Sequence, residues 1–435
     1  MKTVAFHTLG CKVNQYETEA MEELFEKEGY KVVEPSEIAD IYVINTCTVT
    51  NLGDRKSRQF IRRSKKLNKD STIAVVGCYA QVSPDEIEKI EGVDVIIGTS
   101  DREKIVQLCQ EAKKDNIKIN KVRDFKELKD FEELKIEDIK FKTRAYMKIQ
   151  EGCNQYCSYC IIPYARGPIR SRSLENIIKE GKRLSQAGFK EIILTGIHVA
   201  SYGKDRGDYT LLDVIKEINK IDGIERIRLS SIEPTLIDEK FMKTVSNMPK
   251  VCDHFHLSLQ SGSDSTLKDM NRKYTTDEYR KIVYLIREYM PYAGITTDII
   301  VGFPGEGDKE FQETYNFVRE IEFSRIHVFK YSPRIGTPAS RFKNQVHGSI
   351  KHERSERLIH LGEELMIEFN KKFINKKMPV LFEEESKIAP EYMEGYTTNY
   401  VRVKALGDSK LEGKIVPVKI IGIDGENLIG EIEEF

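Results

Sequence analysis

Six strand-length apolar runs occupy the middle of the chain: Tyr146 to Ile149, Glu191 to Leu194, Arg226 to Leu229, Phe255 to Leu259, Ile295 to Val301 and Arg325 to Phe329. A segment long enough for a helix separates each from the next. Strands joined in this way run parallel with right-handed crossovers, so only a few topologies remain, and a partial (βα)6 barrel is the one predicted. Upstream, from Lys2 to about Gln110, the runs Val4 to Phe6, Ile41 to Ile44, Ile73 to Val76 and Val93 to Ile97 alternate with amphipathic stretches. That pattern predicts an open parallel α/β sheet. Glu111 to Lys142 is dense in Lys, Asp and Glu and reads as a solvated linker with a short strand or helix. Beyond Ile350 a long helix leads into segments that alternate on a short period, such as Tyr400 to Lys404 and Ile415 to Ile420, predicting a small all-β barrel. The expected organisation is an N-terminal α/β domain over 1–112, a charged linker over 113–138, a central barrel over 139–370 and a C-terminal barrel over 373–435.

A chain of 435 residues is long for one hydrophobic core, which agrees with several domains. No run approaches the ~18 apolar residues of a membrane helix, and the first residues, Met1 to Phe6, enter a strand-like run with no signal-peptide pattern. A cytoplasmic protein without a membrane partner is expected. Thiols in that compartment stay reduced, so the eight cysteines point to metal ligation or catalysis rather than disulfides.

Cys153, Cys157 and Cys160 form C-x3-C-x2-C in the loop after a predicted strand. Three thiolates so close suit a 4Fe-4S cluster with one iron left open. A zinc knuckle is the competing reading, but zinc wants four closed ligands, and no fourth Cys or His lies close by in sequence. Cys11, Cys47 and Cys78 are far apart in sequence, yet each follows a predicted strand of the first domain, where a parallel sheet presents its loops at one edge. They are candidates for a second cluster, with ordinary buried cysteines as the alternative. Cys109 and Cys252 lack partners at ligand spacing and read as packed thiols.

The first motif, with Tyr159 before its last cysteine and a barrel downstream, resembles the radical S-adenosylmethionine superfamily. Gly10-Cys11-Lys12-Val13-Asn14-Gln15-Tyr16-Glu17, Asn45-Thr46-Cys47 and Gly77-Cys78-Tyr79 narrow the resemblance to the methylthiotransferase family, over essentially the whole chain. The resemblance implies two 4Fe-4S clusters, an auxiliary one on Cys11, Cys47 and Cys78 and a radical one on Cys153, Cys157 and Cys160. It also implies S-adenosylmethionine as cofactor, consumed as both methyl donor and radical source, and an OB-like TRAM domain at the C-terminus. Among the branches, Cys160-Ile161-Ile162-Pro163-Tyr164-Ala165-Arg166-Gly167-Pro168 and Leu194-Thr195-Gly196-Ile197-His198-Val199 look most like the one acting on threonylcarbamoyladenosine next to the tRNA anticodon. The isopentenyladenosine and ribosomal-protein branches are the alternatives, and a noncatalytic iron-sulfur RNA-binding regulator is the reading from another class. An external electron donor and a sulfur source are further implied partners.

Cofactor contacts are expected from Tyr159, Thr195, Gly196, Ser258, Gln260, Val301 and Gly302, at strand ends of the barrel. The widespread Gly-Gly-Glu pattern after the second barrel strand is replaced by Thr195-Gly196-Ile197, so a glutamate contact cannot be assumed there. Net charge is -1, so a tRNA partner must be held by local patches. Arg55 to Lys69 carries eight basic residues and no acid, with Arg55, Arg58, Arg62, Lys65 and Lys69 on one stripe. That stripe is either a phosphate-binding face or a solvated one. Arg166, Arg170 and Arg172 either approach the anticodon loop or support the cluster. Tyr396, Asn399 and Tyr400 are candidates for stacking or hydrogen bonding to RNA, with core packing as the alternative for the tyrosines.

Overall fold

The computed structural model describes residues 1–134 and 143–432. Its N-terminal sheet contains β1 (Thr3–Thr8), β2 (Lys31–Val33), β3 (Ile41–Thr46), β4 (Thr72–Gly77), β5 (Val95–Ile96) and β6 (Ile119–Asn120), all parallel, in the order β2-β1-β3-β4-β5-β6. Every residue of β3 and β4 is buried, as expected for central strands covered on both faces. Strand order reverses between β1 and β3, and in sheets of this kind the crevice opens at the carboxyl ends of those strands.

The expected linker is corrected by this sheet. The helix Ile105–Asp115 crosses the boundary placed at 112, and β6 lies inside 113–138 yet pairs with β5. Glu132 and Glu133 of the same segment are ion-paired with Arg102 and Arg172, while Leu128 and Leu134 are buried. The charges looked solvated because their partners are distant in sequence. Positions 135–138 of that linker, 139–142 of the central region and 433–435 of the C-terminal region lie outside the described residues.

The central region has two sheets. β7 (Arg144–Glu151), β8 (Arg170–Ser171), β9 (Glu191–Gly196) and β10 (Arg226–Leu229) run in the order β10-β9-β7-β8, with only β8 antiparallel. β11 (His254–His256), β12 (Gly294–Val301) and β13 (Arg325–Lys330) form the second, all-parallel sheet. Isolated bridges Ile227↔Val251 and Ile232↔Leu257 join the two, and one hydrophobic core runs through both. The helix Gly348–Lys371 then packs on β13 and leads to the closed barrel β14 (Lys377–Glu385), β15 (Tyr392–Tyr396), β16 (Arg402–Leu406), β17 (Ile415–Asp424) and β18 (Asn427–Ile432).

Arginines from the central sheet dock this small barrel. Arg226 donates to the carbonyls of Tyr396 and Pro379, each at 2.8 Å, and Arg228 donates to those of Thr398 (2.8 Å) and Thr397 (3.1 Å). Arg144 pairs with Glu383. Charge-assisted bonds of this sort fix orientation as well as contact. Among the described residues no helix is long and apolar enough to cross a membrane.

Candidate active site

Cys11, Cys47 and Cys78 sit just past the carboxyl ends of β1, β3 and β4 and come together there. The Cys11 and Cys47 thiols both act electrostatically on Cys78, and Cys11 on Cys47. Local sequence builds this meeting point. Asn14 Nδ2 donates to the Leu9 carbonyl (2.9 Å) and the Thr46 carbonyl (3.0 Å), tying the loops after β1 and β3 together. Thr46 Oγ1 donates to the Val76 carbonyl at 2.6 Å and adds the loop after β4. Gly10 and Gly77 precede two of the cysteines at φ of +116° and +93°; a Cβ at Gly10 would come within 2.9 Å of Cys47 Cβ, and one at Gly77 within 2.6 Å of Asn45 Oδ1. Only glycine fits both the backbone and the space.

The other triad occupies the loop between β7 and the short helix Ile162–Arg166. Cys160 N donates to the Cys157 carbonyl at 2.9 Å, and Cys153 N to the Gly167 carbonyl at 3.0 Å. Burial pushes the free thiols up, Cys153 to about 11, Cys78 to about 12 and Cys160 to about 12. Bound thiolates therefore need compensating charge, and each triad has one guanidinium at a sulfur. Arg166 Nε lies 3.2 Å from Cys78 Sγ, and Arg272 Nη1 lies 3.4 Å from Cys157 Sγ. Among the described residues no three His, Cys, Asp or Glu side chains converge for a single metal ion. Three thiols at each site are the donor set that a 4Fe-4S cluster with one open iron takes, whereas a structural zinc takes four closed ligands.

Arg166 belongs to the loop of the second triad yet serves the first. It is fully buried, with Nη1 donating to Glu17 Oε1 (2.6 Å) and Glu151 Oε1 (2.8 Å), and Nη2 to Asn14 Oδ1 (2.9 Å). Arg102 and Lys148 complete the network on the same two glutamates. Burial alone would raise the Glu17 carboxyl, but Arg102, Arg166 and Lys148 outweigh it and hold the group at about 2. Glu151 is likewise held well below the usual carboxylate range, against burial, by Arg166 and Lys148.

Three arginines expected either to approach the anticodon loop or to support the cluster lie in or beside this network. Arg166, Arg170 and Arg172 are buried; Arg170 donates to the Arg166 and Pro168 carbonyls, and Arg172 pairs with Glu133 and Glu180. Their guanidinium groups are engaged inside the protein. On the helix Asn51–Leu67 the stripe also divides. Arg55 and Arg62 are exposed, whereas Arg58 donates to Tyr79 Oη (2.8 Å) and Glu86 (3.0 Å), and Lys65 to the Ser71 carbonyl (2.8 Å).

A cavity of about 970 Å³ opens between the three regions. Cys11 and Lys12 line one side, Thr195 and Gly196 at the end of β9 another, and Tyr396, Asn399 and Tyr400 of the small barrel a third. The tyrosine rings stack at 4.9 Å, and Arg144 and Arg228 lie against them. The side chains are thus neither loose on the surface nor sealed in the barrel core. Asn399 is buried and donates to the Tyr292 carbonyl at 3.1 Å.

The remaining expected contacts lie away from this cavity. Tyr159 packs edge-on against Phe303, the Ser258 carbonyl accepts from Arg272 and Tyr274, and Gln260 has a left-handed backbone (φ +68°). Gly302 N donates to Glu306 Oε1 at 2.8 Å. Val301 has its side chain in the central core, and its carbonyl accepts from Tyr331 N. Sequence reasoning missed Glu233, which follows β10 and is held by Arg272 Nη2 at 2.8 Å, with His198 Nε2 at 3.4 Å. The signal was there in Ile232-Glu233-Pro234, one strand later than the glutamate sought after β9.

Comparison with known proteins agrees with this architecture. Residues 147–318 match the Radical SAM superfamily and residues 3–98 match Uncharacterized protein family UPF0004. The chain is 46% identical to the threonylcarbamoyladenosine tRNA methylthiotransferase MtaB of Bacillus subtilis, over 97% of this chain and 94% of that one. It is 41% identical to the protein of the same name from Aquifex aeolicus, over 96% of this chain and 100% of that one. A tRNA-2-methylthio-N(6)-dimethylallyladenosine synthase of Clostridium botulinum (strain Loch Maree) is 38% identical, over 98% of this chain and 95% of that one. Among solved structures, the radical S-adenosylmethionine methyltransferase TsrM of Kitasatospora setae shares the fold, with a TM-score of 0.57 and 14% identity over 78% of this chain and 77% of that one. With both triads in place and such identity along nearly its full length, the chain belongs to the radical S-adenosylmethionine methylthiotransferase family.

Proposed function

We infer that the protein methylthiolates carbon 2 of N6-threonylcarbamoyladenosine beside the tRNA anticodon. The observation that carries this reading is the second thiol triad, with Cys11 on the wall of the cavity where all three regions meet. A radical enzyme that only abstracts hydrogen needs one triad; a reaction that also inserts sulfur has use for two. When bound, the two 4Fe-4S clusters and S-adenosylmethionine supply the radical that opens an unactivated C–H bond and the sulfur that replaces the hydrogen.

In this reading Cys11, Cys47 and Cys78 ligate the auxiliary cluster and Cys153, Cys157 and Cys160 the radical one. Arg166 and Arg272 each place a positive charge at one sulfur of a triad. Tyr159, Thr195, Gly196, Ser258, Gln260 and Gly302 are the cofactor contacts, joined by Glu233. The six parallel strands β7 and β9–β13 are read as a (βα)6 barrel, the small barrel as a TRAM domain, and the N-terminal domain as running through β6. Tyr396 and Tyr400, fixed by Arg144 and Arg228, offer a stacking surface for the target nucleotide. Arg55 and Arg62 are the remaining phosphate contacts on the basic helix. An external electron donor, a sulfur source and a cytoplasmic setting complete the reading.

The test is anaerobic reaction of the reconstituted protein with threonylcarbamoyl-modified tRNA, S-adenosylmethionine, sulfide and reductant, read by nucleoside mass spectrometry beside isopentenyl-modified tRNA. A methylthio product from the first substrate alone is expected. Product from the second alone moves the enzyme to the sister branch.

A further inference from the structure

Among the described residues one cation on the cavity wall, Lys12, has no carboxylate within ion-pairing distance, its nearest acidic influences being Tyr400 and the more distant Glu191. Of the lysines and arginines on its wall, Arg325 pairs with Glu426 and Arg402 with Glu394. Among the described residues Lys12 forms no ion pair; its Nζ lies 5.9 Å from the centre of the Tyr400 ring. A second polar group is also unanswered: His254 is 5% exposed, its Nε2 meets Thr296 Oγ1 at 3.1 Å, and its Nδ1 has no hydrogen-bond partner. The His254 and Tyr400 rings lie 4.7 Å apart between centres, tilted by 36°, so the two groups neighbour the same tyrosine. Lys12 also opens the helix Lys12–Lys27, whose positive end lies at the same wall.

We propose that Lys12 is the specificity residue for an anionic N6 substituent, its ammonium pairing with the carboxylate of the threonylcarbamoyl group while His254 Nδ1 bonds to the same substituent. This rests on the function proposed above and adds the group that reads the substrate. An isopentenyl group carries no charge and would leave the ammonium and the imidazole nitrogen unanswered in a confined space, which is costly. Discrimination built on a hydrogen-bonded charge is stronger than discrimination built on apolar shape.

The experiment uses anticodon stem-loops bearing threonylcarbamoyladenosine or its neutral carboxamide counterpart, with reconstituted wild-type, Lys12→Gln and Lys12→Arg enzymes. The wild type should favour the acid over the amide by roughly ten- to a hundredfold in kcat/KM, the worth of one charge-assisted bond. Lys12→Gln should lose that preference by falling on the acid only, and Lys12→Arg should keep most of it. Iron content and substrate-free cleavage of S-adenosylmethionine are measured for each variant, and rates are compared per intact cluster so that cluster loss is not read as loss of specificity. A wild type that treats acid and amide alike, in turnover or in equilibrium binding, overturns the proposal whatever the variants do. Equal loss by Lys12→Gln on both stem-loops overturns it too. Product from isopentenyl stem-loops alone, or from none, marks failure of the function itself and removes the ground of this proposal.

Discussion

The two cysteine triads reach similar surroundings by opposite routes. Cys153, Cys157 and Cys160 lie within eight residues of one loop, so chain connectivity alone keeps them close. Cys11, Cys47 and Cys78 span 68 residues and meet only because β1, β3 and β4 are parallel neighbours that end at one edge. The local triad needs little of the fold to exist. The dispersed one is held by Asn14, Thr46 and two left-handed glycines, and by a guanidinium that arrives from the other triad's loop. A dispersed site therefore depends on the packing between domains, and its supporting residues lie where no sequence window would join them.

The largest effects separate the triads outright. Alanine at Cys153 should abolish both cleavage of S-adenosylmethionine and product, whereas alanine at Cys11 should abolish methylthio product but leave cleavage measurable. Equal loss of cleavage in both, with the Cys153 cluster spectroscopically intact in the Cys11 variant, would break the division of labour. Next comes the network that joins the regions. Glu17→Gln leaves Arg102, Arg166 and Lys148 short of a buried countercharge and should cost about 3–5 kcal/mol in denaturant unfolding. It should harm the dispersed triad's iron content more than the local one's.

The same carboxyl predicts an acid limit. Its pKa falls from 4.5 to about 2 in the folded chain, so the stability it contributes is complete above about pH 4.5 and drains away as the pH drops through 2. An apoprotein whose unfolding midpoint is flat over that window, or unaltered in its pH profile by Glu17→Gln, would contradict this.

Smaller effects sharpen the contrast. Arg166→Lys keeps the charge but cannot reach Cys78 and both glutamates together, so it should lower the auxiliary cluster's potential by on the order of tens of millivolts, given that 59 mV is a factor of ten for one electron. Arg272→Lys should do so only at the radical cluster. Redox titration followed by electron paramagnetic resonance distinguishes them, and a shift at the wrong cluster would refute the pairing. The smallest changes belong to the basic helix: Arg55→Ala and Arg62→Ala should each weaken tRNA binding modestly and reduce its salt slope by about 1. Arg58→Ala, whose side chain is already engaged by Tyr79 and Glu86, should leave that slope nearly unchanged.

Much of the fold was legible because it repeats on short periods. All six central runs became strands, and the alternation in Ile415 to Ile420 became a wall of the closed barrel, with Val416, Val418 and Ile420 inward. β2 was not found because an edge strand of three residues is too short to show a period, whereas β6 falls in the segment where a short strand or helix was expected. Among the site residues the cysteines stood out by spacing and motif. Arg272 and Lys148 did not, for nothing near them in sequence differs from surface charge.

The sequence by itself determined what short-range geometry controls: which segments are strands, where the chain turns, and that three thiols would share one loop. Only the tertiary structure decided which charges are buried and whom they face. Arg62 and Arg166 are the same side chain in segments both read as basic, yet one is exposed and the other reaches Cys78, Glu17 and Glu151. Electrostatic partnership depends on distance in space and on exclusion of water, and both are set by packing between elements distant in sequence.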